Sequence, residues 1–530
     1  MPASRAERPL PLAATACAAA LLFATPALYV LWRVFTTGTD LSELWRDVPA
    51  PLWRTVQLAV LVSISAAVLG TSLAWLLLRT DVPLRRFFRV LAPLPLVFPS
   101  FVGAAAYLAG LAPDGVLRQT FELVGYHAPK RFRGLGASWL VLTLFTYPYV
   151  YLSVGARLSV VPRSAEESAR LLGDSAWQMF VRVVLPMIRR SILGGTLLVF
   201  LYTLSEFGAV QLLGYDTLTR VVYATRLVDR AQSFGAAATL LVLAFVVVFI
   251  EHRARGQAIV SSATVQRPSR GIALGRWRPV AFVGVVGVVV FALVMPVASL
   301  VQWAWRGIAN GDDPNARLQH ELGDLVSPTW TTAWLGAVAG ILTVIAVLPA
   351  AMLSARYRSR LSSSVNAAVI AGFAVPGLVI ALSMAFWTLN VPGFDTLYQT
   401  VPLLLAAYVV HFGSQAMRAV ENSVSSVPAR VRESARLLGA GTVRRALTID
   451  LPLMRPGLLA GGGLVLLATL KELPATLLLA PIGTRTLSTR VWSRFEEGFL
   501  AESALAAIAL VLVSGVLTWL LVLRRSDQLA

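Results

Sequence analysis

The sequence predicts an all-α polytopic membrane protein of about twelve transmembrane helices, arranged as two parallel repeats of six. Three observations predict it: the chain is too apolar for a soluble globule, twelve long apolar runs punctuate it, and its two halves carry the same residues in the same order. Of 530 residues, 57% are hydrophobic and 14% charged, with a mean hydropathy of +0.70. A soluble protein of this size carries roughly 25% charged residues, so this chain cannot be wrapped in a polar skin. That excludes a disordered chain, a disulfide scaffold and an ordinary cytosolic enzyme. Cys17 is the single cysteine, which leaves no disulfide framework and no thiolate metal site.

A helix needs about 20 residues to cross a bilayer core of roughly 30 Å. Apolar runs of that kind lie at 11–35, 55–78, 87–110, 137–160, 187–213 and 235–252. The second half has 279–305, 332–355, 364–389, 401–420, 453–480 and 502–523. None alternates with a period of two over ten residues, which argues against a membrane β-barrel. The first run follows Arg5 and Arg8 but is too long for a cleaved signal, so it is expected to persist as a helix.

The formal charge is +19. Such a balance often points to nucleic acid, but here the membrane surface is the better partner. With the N-terminus in the cytoplasm, the inner side holds the N-terminal arm and segments 79–89, 157–190, 253–278, 356–360, 418–455 and 524–525. With Glu251 and Asp527 at their edges counted, these take 30 of the 46 basic residues and 10 of the 27 acidic ones. Lys and Arg concentrate on the cytoplasmic side of membrane proteins, so both termini are expected there. The outer loop 111–136, with Arg118, Lys130, Arg131 and Arg133, runs against the trend.

The duplication is explicit. VPRSAEESARLLG at 161–173 and VPARVRESARLLG at 427–439 agree at nine of thirteen positions, 266 residues apart. Leu185–Pro186 against Leu451–Pro452, Gly195 against Gly461 and Glu206 against Glu472 keep that offset. Earlier, the offset is 277: Trp53 pairs with Trp330, Thr55 with Thr332, Arg79 with Arg356, and Pro99 with Pro376. Six spans per half keep equivalent residues on one side, so the repeats are parallel. The first is read as 1–255, the second as 279–530, with a cytoplasmic linker at 256–278.

The repeated segment has fixed internal spacing. Glu167-Ser168-Ala169, Gly173, Val183 and Leu185-Pro186 match Glu433-Ser434-Ala435, Gly439, Ile449 and Leu451-Pro452. Glu-Ser-Ala-Arg-Leu-Leu is a good helical run. Pro162 and Pro428 precede it, and a Glu near the first turn suits the positive end of the helix dipole. Gly173 and Gly439 can take the left-handed conformation that stops a helix. Pro186 and Pro452 can sit in the first turn of the next membrane helix. The expected product is a short cytoplasmic helix between two spans, seated in a partner's groove through its small residues Ser168, Ala169, Ser434 and Ala435.

This spacing resembles the EAA loop of the membrane subunits of binding-protein-dependent ABC importers. Two copies in one chain resemble the fused permeases of ferric-iron importers. The string Lys471-Glu472-Leu473-Pro474-Ala475-Thr476-Leu477-Leu478-Leu479, with Thr486-Leu487-Ser488-Thr489-Arg490 downstream, is similar to that branch. Ser168 and Ser434 stand where the family motif has a middle Ala, and Val183 where it has Ile. The first half has Ser205-Glu206-Phe207-Gly208 in place of the iron-type string. The resemblance implies a bacterial inner-membrane subunit that hydrolyses no ATP, served by a periplasmic binding protein. It implies two copies of a cytoplasmic ATPase, one on each EAA helix, with ATP and magnesium held there. Glu167, Ser168, Ala169, Gly173, Leu185, Pro186 and their second-half equivalents would form the coupling sites. No G-x4-G-K-[ST] loop is present, in keeping with that division. Fused importers of thiamine or phosphonate share the plan.

Glu206, Lys471 and Glu472 lie in apolar runs, where an ionisable residue is a functional candidate. Twenty residues past Pro186, about 30 Å of helix, Glu206 is expected near the outer interface. Two readings stand: it lines the mouth of the pathway, or it makes an inter-helix pair. Pro99 and Pro376 are expected to bend the third spans. Tyr147, Tyr149 and Tyr151 read as interfacial tyrosines rather than metal ligands. His127, His252, His320 and His411 show no ligand spacing, so neither a metal site nor a catalytic residue is expected. An ATPase-independent secondary transporter would need buried carboxylates or histidines at mid-span, and a membrane enzyme a polar catalytic cluster.

Overall fold

The computed structural model describes residues 10–36, 46–125, 127, 131–161, 168–169, 171–173, 175–255, 272–309, 321–357 and 359–520. Glu167 and linker residues 256–271 lie outside them. The first repeat runs α1 (Leu10–Thr36), α2 (Pro49–Arg79), α3 (Arg85–Leu91), α4 (Ser100–Leu111), α5 (Val116–Leu123) and α6 (Leu135–Leu158). It continues with α7 (Trp177–Ser205), α8 (Gly208–Leu212), α9 (Leu218–Thr225) and α10 (Arg230–Arg255). The second runs α11 (Gly275–Ala309), α12 (Val326–Arg356), α13 (Arg360–Ala371), α14 (Gly377–Asn390) and α15 (Val401–Ser425). Then come α16 (Ala429–Leu437), α17 (Thr442–Leu470), α18 (Pro474–Leu479), α19 (Leu487–Glu496) and α20 (Leu500–Thr518).

Among the described residues, ten helices are long and apolar enough to cross a membrane, or eleven if the bent pair at Pro99 counts as one. The bends expected at Pro99 and Pro376 are both present. The third run of each half is broken. Arg85–Val97 and Ser100–Leu111 meet at 98°. Pro93, Pro95 and Pro99 remove backbone donors in quick succession, which a continuous helix cannot absorb. Pro99 (ψ 142°) and Pro376 (ψ 141°) are extended and begin new helices at the same place in each repeat. The resulting α14 has 14 residues, roughly 21 Å at 1.5 Å per residue. Hydropathy alone hides such a break because the prolines are embedded in apolar residues.

The fifth runs also end early. α7 stops at Ser205 and α17 at Leu470, and short helices α8 and α18 follow. At their other ends these helices start before the motif prolines, at Trp177 and Thr442. Pro186 and Pro452 thus lie within continuous helices, each just after a π turn, at Phe180–Val184 and Ala446–Asp450. Leu185 N–H donates to Phe180 O and Leu451 N–H to Ala446 O, one residue farther back than in an α-helix. A proline without an N–H leaves a carbonyl unsatisfied one turn earlier, and the wider turn accommodates it.

Equivalent helices pack alike: α2 against α6 and α7, and α12 against α15 and α17. Thr55 Oγ1 accepts the N–H of Leu218 at 2.9 Å, and Thr332 Oγ1 that of Leu487 at 2.9 Å. Each ties the second helix of its repeat to the start of the ninth. The first helices cross over. α1 packs on α12, α13 and α14 of the other repeat, and α11 packs on α4. Phe23 of α1 lies so close to Gly413 that a Cβ there would stand 2.0 Å from the ring. Ser383 donates to Pro26 O at 3.0 Å. On the opposite side, Trp303 Nε1 donates to Ala109 O at 2.8 Å. Leu21, Ile64, Val68, Val283, Ile341 and Leu512 remain exposed, as expected of surfaces that face lipid.

Candidate functional site

Two breaks, one per repeat, meet between the halves. At the first, Glu206 ends α7 and starts α8. Its Oε1 accepts the N–H of Ala209 at 2.8 Å, and its Oε2 accepts from Ser100 Oγ at 2.6 Å. Tyr202 OH donates to Ser100 Oγ at 3.0 Å, and Thr219 donates to the Glu206 carbonyl at 2.7 Å. At the second, Glu472 Oε1 accepts the N–H of Ala475 at 3.0 Å, and Ser488 donates to the Glu472 carbonyl at 2.9 Å. Every new helix exposes unpaired N–H groups, and here a carboxylate answers them. Glu206 is 7% and Glu472 8% exposed. Glu206 is therefore buried inside the bundle as an inter-helix pair. Of the two readings of Glu206, this is the inter-helix one, and the helix from Pro186 runs unbroken to Ser205, one residue before it.

The repeats differ in what else meets the carboxylate. Ser100 is replaced by Gly377, whose missing Cβ would stand 3.0 Å from both Glu472 Oε1 and His411 Nε2. His411 fills the space, its Nε2 3.7 Å from Glu472 Oε2. Lys471 does not pair with Glu472; its Nζ donates to Leu96 O, across the repeat boundary. Phe207 packs on Tyr223 at 4.6 Å and on Trp492 of the other repeat at 5.7 Å. The two breaks touch: a Cβ on Gly208 would stand 3.2 Å from Leu473 Cδ2. Among the described residues, no three His, Cys, Asp or Glu side chains are placed to hold a metal ion. Tyr147 is fully buried and donates to Ala92 O at 2.8 Å. Its expected place at the membrane interface is thus corrected: it holds the Pro-broken segment from inside.

The motif segments lie at the arginine-rich end. In the second, α16 ends in a Schellman turn: Ala440 N–H donates to Ala435 O and Gly439 N–H to Arg436 O, both at 3.0 Å. Gly439 has φ +77° and Gly173 φ +90°, conformations that a side chain disfavours. Glu433 is exposed and sits in the second turn of α16, not the first. Ser168 and Ser434 are exposed, but Ala169 and Ala435 are buried against their own chain. Ala169 packs with Met179 and Ile272 of its own chain. Two leucines per segment lie bare just before its glycine. Leu171, Leu172, Leu437 and Leu438 are 87–89% exposed. A pair of bare leucines, at equivalent positions just before each left-handed glycine, was visible as ARLLG in both halves. Leu185 is half-buried, while Pro186, Leu451 and Pro452 are exposed.

Residues 66–251 and 347–527 each match the binding-protein-dependent transport system inner membrane component family. The chain belongs to that family. It is the permease subunit of an ABC importer, with the family domain present twice, and a membrane transport component rather than an enzyme. The chain is 30% identical over 505 residues, 94% of each chain, to the Fe(3+)-transport system permease protein FbpB 2 of Haemophilus influenzae. It is 28% identical over 245 residues to the sulfate transport system permease protein CysW of Escherichia coli, 44% of this chain and 82% of that one. It is 29% identical over 215 residues to the molybdenum transport system permease protein ModB of Azotobacter vinelandii, 39% of this chain and 93% of that one. The last two span about one repeat of this permease. An ABC permease subunit with ten or more apolar helices belongs in the inner membrane.

Proposed function

We propose that this permease forms the whole transmembrane pathway of a ferric-iron importer. Two copies of a separate ATPase drive it through the two motif segments, and a periplasmic binding protein delivers the cargo. The arginine-rich end, with both termini, faces the cytoplasm. The carrying observation is the repeated lever: an exposed Leu-Leu pair before a positive-φ glycine, a few residues ahead of a membrane helix that continues through a π turn. Burying such a pair contributes about 1.5–3 kcal/mol per leucine, enough to anchor a soluble subunit. Movement of that subunit is carried along α7 and α17 to the breaks at Glu206 and Glu472.

Cargo assignment is supported by similarity to an Fe(3+) permease along 94% of the chain, whereas the sulfate and molybdenum permeases match one repeat's length. Buried carboxylates beside the repeat boundary suit a cation better than an oxyanion. Glu206, Glu472 and Lys471 lie along this route.

The test is uptake by cells expressing the permease with its ATPase and binding protein. Labelled ferric iron should accumulate, and sulfate, molybdate, thiamine and phosphonate should not. Elemental analysis of the co-purified binding protein should find iron. Substituting Glu433 and Gly439 should abolish uptake while leaving membrane insertion intact. Unchanged uptake would reject the coupling role, and a binding protein loaded with an oxyanion would reject iron.

A further inference from the structure

The residues that lead into the second repeat are anchored on the first. Ile272 lies beside Thr80 as an isolated parallel bridge. Its N–H donates to Arg79 O at 2.8 Å, and its carbonyl accepts from Asp81 N–H at 3.2 Å. Leu274 N–H donates to Asp81 Oδ1 at 2.9 Å. Arg278 Nε stands 4.0 Å from Asp81 Oδ2. These contacts fix the linker's end to the end of α2. The Ile272 side chain is buried against Ala169 and Met179, in a cluster separate from the main core and flanked by Trp75 and Val183. Ala169 belongs to the first motif segment. Met179 and Val183 belong to the start of α7, which carries that segment's motion.

The second motif segment is held differently. There Arg356 Nη2 pairs with Asp450 at 3.3 Å, with both side chains largely buried. The equivalent of Asp450 is Val184, so the first repeat offers no carboxylate at that place. Arg79, the equivalent of Arg356, donates instead to Leu158 O at 2.6 Å and Val161 O at 3.3 Å. Where one repeat uses an ion pair, the other receives an apolar plug from the linker.

We propose that Ile272 is a positioning residue for the first coupling segment. Linker residues 272–278 wedge that segment between α2 and α7, and so do for it what the Arg356–Asp450 pair does for the second. The linker is then a structural part of one docking site, and the two sites are mechanically unequal. The wedge stands on the contacts above; only its consequence for transport rests on the reading of these segments as ATPase docking sites.

The test uses the full chain in nanodiscs, with Cys17→Ser and a spin label at either Leu172→Cys or Leu438→Cys. Ile272→Asp should raise label mobility at 172 and leave 438 unchanged. Ile272→Leu should restore the parent spectrum. Asp81→Ala, which removes the polar contacts but leaves the plug, should give a smaller rise at 172. Arg356→Met should loosen 438 alone. An unchanged label at 172 in Ile272→Asp, or equal loosening at both positions, overturns the proposal. In a second arm, the same cysteines are cross-linked to the ATPase subunit. Ile272→Asp should lower cross-linking from 172 at least fivefold and spare 438. If neither cysteine cross-links in the parent while mobility still rises at 172 alone, the wedge holds and the docking reading fails.

Discussion

Glu206 and Glu472 do the same backbone work with different company: each caps the helix after its break, but Ser100 meets one carboxylate and His411 the other. A duplicated chain has kept the structural role of the pair and diversified its surroundings. Glu206→Ala would leave the Ala209 N–H and the Ser100 hydroxyl without their acceptor, at about 1–3 kcal/mol for a buried unsatisfied group. Glu206→Gln keeps an acceptor for Ala209. The melting temperature in detergent should fall clearly for the alanine variant and less for the glutamine one. Equal melting temperatures for parent and alanine would show that the cap is dispensable.

The exposed leucines give a sharper prediction. Leu438→Asp replaces an apolar anchor with a charge on a surface that packs on nothing in this chain. At about 1.4 kcal/mol per tenfold change, loss of one buried leucine should weaken ATPase association tenfold or more. Titration of the purified permease with its ATPase would measure this, and circular dichroism should show an unchanged helix content.

Arg356 and Asp450 test the arginine-rich end. Removing one partner of a buried pair costs about 3–5 kcal/mol because the other charge is stranded. Asp450→Asn should therefore lower stability strongly. The double variant Arg356→Met with Asp450→Leu should recover most of the loss. A double variant as unstable as the single one would mean that the two side chains are not coupled.

The crossing of the first helix can be tested at Phe23. Gly413→Ala sets a methyl against its ring, and such overpacking costs about 1–3 kcal/mol. Phe23→Leu in the same chain should relieve part of it. Thermal unfolding of the two single variants and the double one forms a cycle, and additive losses would mean that the contact is not made.

Much of this was legible beforehand. The repeats and the turn at Gly173 and Gly439 follow from spacing and helix geometry. The sequence marks the bends at Pro99 and Pro376, but not the breaks at Glu206 and Glu472, because hydropathy averages over about twenty residues and a short extended stretch inside an apolar run leaves the average intact. Glu206 is buried because α7 ends one residue before it and Ser100, from another helix, meets its carboxylate. His411 shows no ligand spacing along the chain. Its approach to Glu472 depends on a glycine at 377, on a different helix, and no spacing along the chain signals that. The leucine pairs were in plain view within the motif, but which face of a short helix is bare depends on what the alanines touch.

The crossing of α1 sets the order of assembly. During translation Phe23 reaches the bilayer long before the ribosome has made Gly413. The first helix can pack early on α10 of its own repeat, where Tyr29 meets Phe234, but its face toward α12, α13 and α14 stays uncovered until they arrive. The first half therefore cannot finish folding as it is synthesised. Quality control has to tolerate that open face for much of the chain's production, and truncated products should be recognised by it.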